Sequence, residues 1–152
     1  MTTLIPFAGL TASPWKNGGG STTEIAIGPA GASVHNFDWR VSLATISHSG
    51  PFSRFAGVDR TLALVDGGGF TLDIDGERHI LLDIDAATIA FDGEANVTAT
   101  LHDGPTVDFN VMTRREACQH KFGRRRIDGS AQFAPGGQRS ILFLAVGESL
   151  SV

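Results

Sequence analysis

Two arginines with aromatic neighbours are the groups in this chain best suited to hold an anion. Arg60 opens the run R60-T-L-A-L-V65 after G50-P-F-S-R-F-A-G57, which sets Phe52 and Phe55 ahead of it, and Arg40 follows Trp39 in F37-D-W-R-V-S42. A guanidinium forks onto a carboxylate or phosphate and stacks on aromatic faces. Its competing use is a structural salt bridge, for which Asp59 and Asp38 stand close in sequence. Residues 50–60 carry turn-setting Gly50-Pro51 and Gly57, and their phenylalanines could cover a pocket mouth, so the segment reads as a lid or rim.

The second candidate is W15-K-N-G-G-G-S-T-T-E-I25. Consecutive glycines suit a phosphate cradle, a ligand clamp or a turn. A phosphate loop needs G-x-x-x-x-G-K-[ST] or a helix N-terminus directly after it, whereas T22-T-E-I-A-I27 follows here and reads as a strand. The glycines then serve a tight turn with close backbone approach, leaving Trp15 and Asn17 at the mouth of whatever the strand enters.

Other chemistries find less support. His35, His48, His79, His102 and His120 form no H-x-H or H-x-x-x-H pair, so no metal site is spelled out; His79 and His102 would have to meet in space to begin one. No G-x-S-x-G elbow occurs. Cys118 stands among Arg114, Arg115, His120 and Lys121, which would lower its pKa if they converged on the thiol. Asp73 with Asp75, and Asp83 with Asp85, are i, i+2 acids beside turns, a pattern of solvated faces rather than of an acid–base pair. Residues 1–109 carry 13 Asp/Glu against 5 Lys/Arg, and residues 110–140 reverse this to 2 against 7. At a net charge of −4, the basic stretch 114–126 reads first as a connector, with nucleic-acid phosphate contact as the disfavoured alternative.

The elements that must position these groups are strands. No sustained i, i+3, i+4, i+7 apolar spacing occurs, while short runs rich in Val, Ile, Thr and Phe recur between Gly, Pro, Asp and Asn. Strands are expected over 22–27, 39–46, 60–65, 70–75, 79–83, 87–91, 96–101, 106–112 and 140–146, with a short helix over 113–120. An all-β sandwich or barrel follows. Alternation puts Phe37, Trp39, Val41 and Leu43 on a core face and Asp38, Arg40, Ser42 and Ala44 on the other, which is either a solvated edge or the lining of a hollow. Residues 107–112 repeat the arrangement, with Asp108, Asn110 and Met112 on the ambiguous side. This echo, and that of R60-T-L-A-L64 in R139-S-I-L-F143, is what two fused β-units would leave.

With 152 residues, 41% of them hydrophobic and 18% charged, the chain suits one compact unit of 1–152, or two fused halves of about 1–105 and 106–152. No apolar run approaches the ~20 residues of a membrane helix, and the N-terminus lacks the pattern of a signal peptide. The lone Cys118 excludes an internal disulfide. A soluble, cytoplasmic protein without a membrane partner is the expectation.

Taken in order, W15-K-N-G-G-G20 with T23-E-I25, F37-D-W-R-V-S42, G50-P-F-S53, G57-V-D-R60 and D108-F-N-V-M112 followed by Arg114-Arg115 resemble the HutD/Ves family over about residues 13–115. The resemblance implies a cupin-like (RmlC-like) β-barrel or jelly roll, built as a compact double cupin. It also implies a role in bacterial histidine utilisation, as a modulator that binds an intermediate such as N-formylglutamate or urocanate, although Ves-type members are linked to stress or cold responses. The paired histidines and glutamate by which many cupins hold a metal are missing, so the implied barrel is metal-free and without a cofactor.

The positions that match the family pattern are Trp15, Asn17, Gly18, Arg40, Ser42, Phe52, Arg60, Asn110 and Met112. In a small-metabolite pocket Arg60, with Arg40, would pair with a ligand carboxylate. Asn17, Ser42 and Asn110 would supply neutral hydrogen bonds, and Trp15, Phe52 and Met112 apolar walls. For Asp38 and Asp108 a buried structural network is the preferred role. The expected protein is thus a non-enzymatic binder of a small carboxylate metabolite, able to form a homodimer through sheet edges. Two alternatives stand beside it: a cupin-type isomerase or hydrolase acting on a small carboxylate, and an interaction module that uses residues 114–126 on a protein or nucleic acid.

Overall fold

The computed structural model describes residues 2–85 and 88–145. A 3-10 turn, Phe7–Gly9, precedes the strands β1 Ala12–Pro14, β2 Gly20–Gly28, β3 Trp39–Ile46, β4 Gly50–Pro51, β5 Val58–Gly67, β6 Phe70–Ile74, β7 Arg78–Leu82, β8 Ile89–Asp92, β9 Val97–Leu101 and β10 Thr106–Arg114. All pairings are antiparallel. They make a long sheet of order β1-β2-β3-β10-β5-β8 and a short sheet of order β4-β9-β6-β7. The result is an all-β, cupin-like jelly roll whose two sheets share a core but keep free edges instead of closing into a barrel.

Period-two alternation explains which residues meet. Along β6 and β9 the inward side chains are Phe70, Leu72, Ile74, Val97 and Ala99, and they pack on Leu62 and Leu64 of β5, Ile89 and Phe91 of β8, and Ile46 of β3. The intervening Thr71, Asp73, Thr98 and Thr100 face out. This half of the sandwich is an ordinary apolar core.

The long sheet is covered on its other side too. Val41, Leu43 and Phe109, flanked by Trp39, Val107 and Val111, form an outward apolar patch. The chain beyond β10 crosses it, laying Phe122 and Phe143 on Phe109 with ring centroids 5.8 and 4.7 Å apart. His120 fastens this crossing, because its Nδ1 and Nε2 lie 2.8 Å from the hydroxyls of Thr113 and Thr61. Arg124 adds a hydrogen bond to the Leu64 carbonyl.

Several expectations change at this point. Thr113 and Arg114 extend β10, and the N–H groups of Ala117 and Cys118 both turn back onto the Arg114 carbonyl, so a single turn replaces the helix expected over 113–120. Residues 140–145 form no strand, and Val146 lies outside the described residues. The physical reason is placement: this segment crosses a sheet face, where no ladder is open to it, and only Phe143 docks while Ile141, Leu142 and Leu144 stay exposed. A division at 105/106 would cut the long sheet lengthwise, since β10 pairs with β3 on one flank and β5 on the other. Of the two echoing segments, 39–42 and 107–112 lie on adjacent strands, whereas Phe37 precedes β3 and packs with Val58 and Met112 instead of with Trp39, Val41 and Leu43. Beyond Arg114 no strand occurs among the described residues.

Leu72 is fully buried between the sheets. Replacing it with alanine should cost about 2–5 kcal/mol by the usual scale for a buried leucine, measurable as a lowered urea midpoint with an unchanged slope.

Candidate functional site

The inward side of the long sheet is apolar where β5 and β8 pass and polar where β2, β3 and β10 pass. Register arranges it in rows: Thr22, Ala44, Asp108 and Leu64; then Glu24, Ser42, Asn110 and Leu62; then Ile27, Arg40, Met112, Arg60 and Phe91. The ambiguous side of residues 40–44 thus faces the interior between the sheets and is not a solvated edge. Asp38 precedes β3, and its carbonyl accepts from the N–H of Arg114. Glu24 at the outer end is open, whereas Ser42 and Asp108, each 1% exposed, and Arg60 and Asn110, each 6% exposed, are buried.

Arg60 is a buried cation boxed by rings. Its guanidinium carbon lies 5.1, 5.5 and 5.6 Å from the ring centroids of Phe91, Phe52 and Phe55, and Nη1 donates to the Ser53 carbonyl at 3.3 Å. Neither Asp59 nor Asp38 pairs with it. Asp59 instead accepts from Arg115, which also grips Glu94. Arg60 Nε has no hydrogen-bond partner. Burial lowers the Arg60 pKa to about 10, with the Asp108 charge opposing that shift and Arg40 adding to it. Burying a charge without a bonded counter-ion is costly, and the cation–π contacts offset only part of it.

The neighbouring polar atoms are unsatisfied as well. Ser42 Oγ, Thr106 Oγ1, Asp108 Oδ1 and Asn110 Oδ1 are buried without a partner in the protein. Burial pushes the Asp108 carboxyl up to about 7, against a smaller opposing pull from Arg60. Arg40 is already engaged, since its Nε donates to Glu24 Oε2 at 2.9 Å at the outer end of its row. Met112 is buried at that end of the face, packed with Phe37 and Val58.

At the opposite end lies a cleft of about 300 Å³ lined by Trp15, Asn17, Gly18, Ile46, His48 and Phe52, among others. The glycine run is the β1–β2 hairpin turn. Gly18 takes a φ of 72°, and Asn17 Oδ1 accepts the Gly19 N–H at 2.9 Å, so Asn17 braces the turn from the rim. A Cβ on Gly20 would collide with the Thr45 carbonyl and lie 3.0 Å from the Trp15 ring, which is how the backbone lets that ring settle over the strand. Trp15 Nε1 completes the fit by donating to Thr22 Oγ1 at 2.8 Å. Arg60 itself lines a wider depression of about 640 Å³ on the β8 side, together with Asp59, Asp75, Glu77, Arg78 and Asp92.

Of the residues singled out in the sequence, Arg40, Ser42, Arg60, Asn110 and Met112 share the inward face, and Trp15, Asn17, Gly18 and Phe52 line the cleft. Phe52 belongs to both groups, because it borders the cleft and stacks on Arg60. Asp108 and Thr106 join the unsatisfied set. Asp108 stands on the side that alternation with Asn110 marked in the sequence, and the same alternation extended by two residues reaches Thr106, whereas Phe91 depends on the pairing of β5 with β8, for which no local pattern exists.

Elsewhere the chemistry is settled locally. Burial first, and then the Asp38 charge, raise the Cys118 thiol above its ordinary value, the reverse of the activation that its basic neighbours suggested. His79 pairs with Asp73, and His102 with Thr71, rather than with each other. Among the described residues no group of three or more His, Cys, Asp or Glu gathers to hold a metal, and no helix is long and apolar enough to cross a membrane. In the basic stretch Arg114 stacks on Phe37, Arg115 is held in its acidic network, and Arg125 stacks on Phe133.

A family model described as HutD matches residues 8–152. The chain belongs to the HutD family. An uncharacterised 21.2 kDa protein in the hutC 3' region of Pseudomonas putida is 37% identical to it over 133 residues, 87% of this chain and 67% of that protein. Protein Ves of Escherichia fergusonii is 39% identical over 109 residues, 70% of this chain and 55% of Ves. The solved structure of HutD from Pseudomonas fluorescens SBW25 superposes with a TM-score of 0.66 at 41% identity, covering 72% of this chain and 59% of that one. The matched part of this HutD-family chain thus spans between 55% and 67% of these relatives' length.

Asp108 gives the site a pH signature. An unfolded aspartate ionises near ~3.9, while in the fold this carboxyl holds its proton up to about 7. Its ionisation therefore costs stability in full above about pH 7, and the cost fades as pH falls toward the unfolded value. Acidification from pH 8 to 5 should raise Tm in the wild type relative to Asp108→Asn, and superimposable profiles would remove Asp108 from this role.

Gly20→Ala should destabilise by more than about 2 kcal/mol through its clash with Thr45, and reduced fluorescence shielding of Trp15 would report the loss of packing.

Proposed function

We propose that this HutD-family protein binds a small carboxylate metabolite in the hollow between its sheets, without a metal or cofactor, and tempers histidine utilisation by doing so. The observation that carries the reading is Arg60: a buried guanidinium boxed by three phenylalanines, with no carboxylate against it and with Nε unpartnered. An incoming carboxylate would supply the missing counter-ion, and its fork geometry suits the guanidinium. Asn110 and Ser42 would add hydrogen bonds from the next row, while Trp15 and Phe52 wall the cleft through which the ligand enters.

The metabolic setting is supported by the names of relatives. One similar protein lies in a hutC 3' region, and another is HutD itself, described in a formate condition. N-formylglutamate and urocanate, both carboxylates of that setting, are the leading ligands. A cytoplasmic location is part of the same proposal.

Thermal-shift titration with N-formylglutamate, urocanate, histidine and formate tests the reading. A true ligand at a hundred times its Kd should add about 2.7 kcal/mol of stability. Arg60→Gln should weaken that ligand at least ~10-fold, as loss of a charge-assisted pair predicts. No shift with any of the four at millimolar concentration, in either the wild type or the variant, would overturn it.

A further inference from the structure

We propose that β7 is the contact by which two copies of this chain form a dimer, the strand lying antiparallel to its own copy across a two-fold axis at Leu81 and joining the two short sheets into one. The inference concerns the rim of the short sheet and is independent of any ligand. It starts from the edges that the two sheets leave open. β1 and β4 are three and two residues long and each includes a proline, which cannot donate to a ladder. β8 exposes only Ala90 and Asp92, so two copies of that strand would meet with acids and no base. β7, Arg78–Leu82, is the longest of the four, carries no proline, and among the described residues pairs with β6 alone, in unbroken register. Its other flank offers the N–H and C=O groups that a further strand completes.

The side chains of this edge fit a second copy of themselves. Leu81 stands 54% exposed, on an edge where charge is the ordinary protection. Alternation places His79, Leu81 and then Asp83, directly after the strand, on the outer face. A two-fold axis perpendicular to the sheet keeps outer face beside outer face. With that axis at Leu81, the leucine opposes its own copy, and on either side His79 opposes the partner's Asp83. Moving the axis to Ile80 sets His79 against Leu81, and moving it to Leu82 sets Leu81 against Asp83. One register alone therefore matches apolar with apolar and imidazole with carboxylate. His79 meets Asp73 through Nδ1 at 3.3 Å, and its Nε2 remains to donate to the partner's carboxylate when the ring is protonated. Asp83 Oδ1 accepts the Asp85 N–H at 3.0 Å, and a carboxylate takes more than one donor. A single strand pair is a small interface, which suits a dimer that forms and separates with concentration.

Sedimentation equilibrium of the intact chain from about 1 µM to about 1 mM tests this, and should show one chain passing to two with a Kd of order 10–100 µM. Leu81→Lys puts two ammonium groups face to face at the axis. It should raise that Kd at least ~10-fold while leaving Tm at low concentration unchanged, because the position is exposed. His79→Asp and Asp83→Lys should each weaken self-association, whereas their equimolar mixture should recover it, since each variant then meets its complement. A single chain at every concentration would overturn the inference. So would a dimer that Leu81→Lys leaves intact, or a mixture that stays monomeric although both charge variants keep the wild-type circular dichroism. Should either charge variant fail to fold, the Leu81→Lys comparison decides alone.

Discussion

Because β10 runs down the middle of the long sheet, each of its residues has a strand on both flanks and a cover on both faces. Period-two alternation then forces two different solutions. Its odd positions, Val107, Phe109 and Val111, meet an apolar cover made by the later chain, and its even positions, Thr106, Asp108, Asn110 and Met112, meet the hollow. Most of the molecule follows from serving those two faces. The crossing held by His120 exists to cover the first, and β2, β3 and the segment from Phe52 to Phe55 surround the second.

The inward face is unusual in its energetics rather than in its geometry. A buried ion pair with well-placed partners can break even, but Arg60 and Asp108 influence each other electrostatically without being bonded. Each is left with an unmet hydrogen-bonding atom beside neutral groups in the same state. A fold that tolerates this gives up stability on its polar inward face. The apolar half of the sandwich, from Leu62 to Val97, supplies the stability that the polar half gives up.

Much of this was legible in the sequence, and the limits have physical causes. The bounds of β3 follow directly from W39-R-V-S-L-A-T-I46, and most other strands fall within a residue or two of their alternating runs. The short edge strands β1 and β4 escape notice because three and two residues, each including a proline, carry no periodicity. Residues 140–145 read as a strand because local composition cannot tell a sheet edge from a sheet face. The inward positions of β3 and β10 were legible as one set, but not their burial: with both faces covered, alternation marks two sides without saying which encloses the site. The aromatic box around Arg60 draws Phe91 from a strand more than thirty residues away, and only tertiary pairing brings it there.

Phe52 stands at both the entrance and the anchor, one flank of its ring bordering the cleft and the guanidinium of Arg60 lying against it. Phe52 therefore contributes both to the width of the cleft and to the stacking on the cation. Trimming Phe52 would widen the cleft and at the same time remove one of the three rings stacked on Arg60. Cleft width and the shielding of the buried cation thus change together unless Phe55 or Phe91 changes in concert.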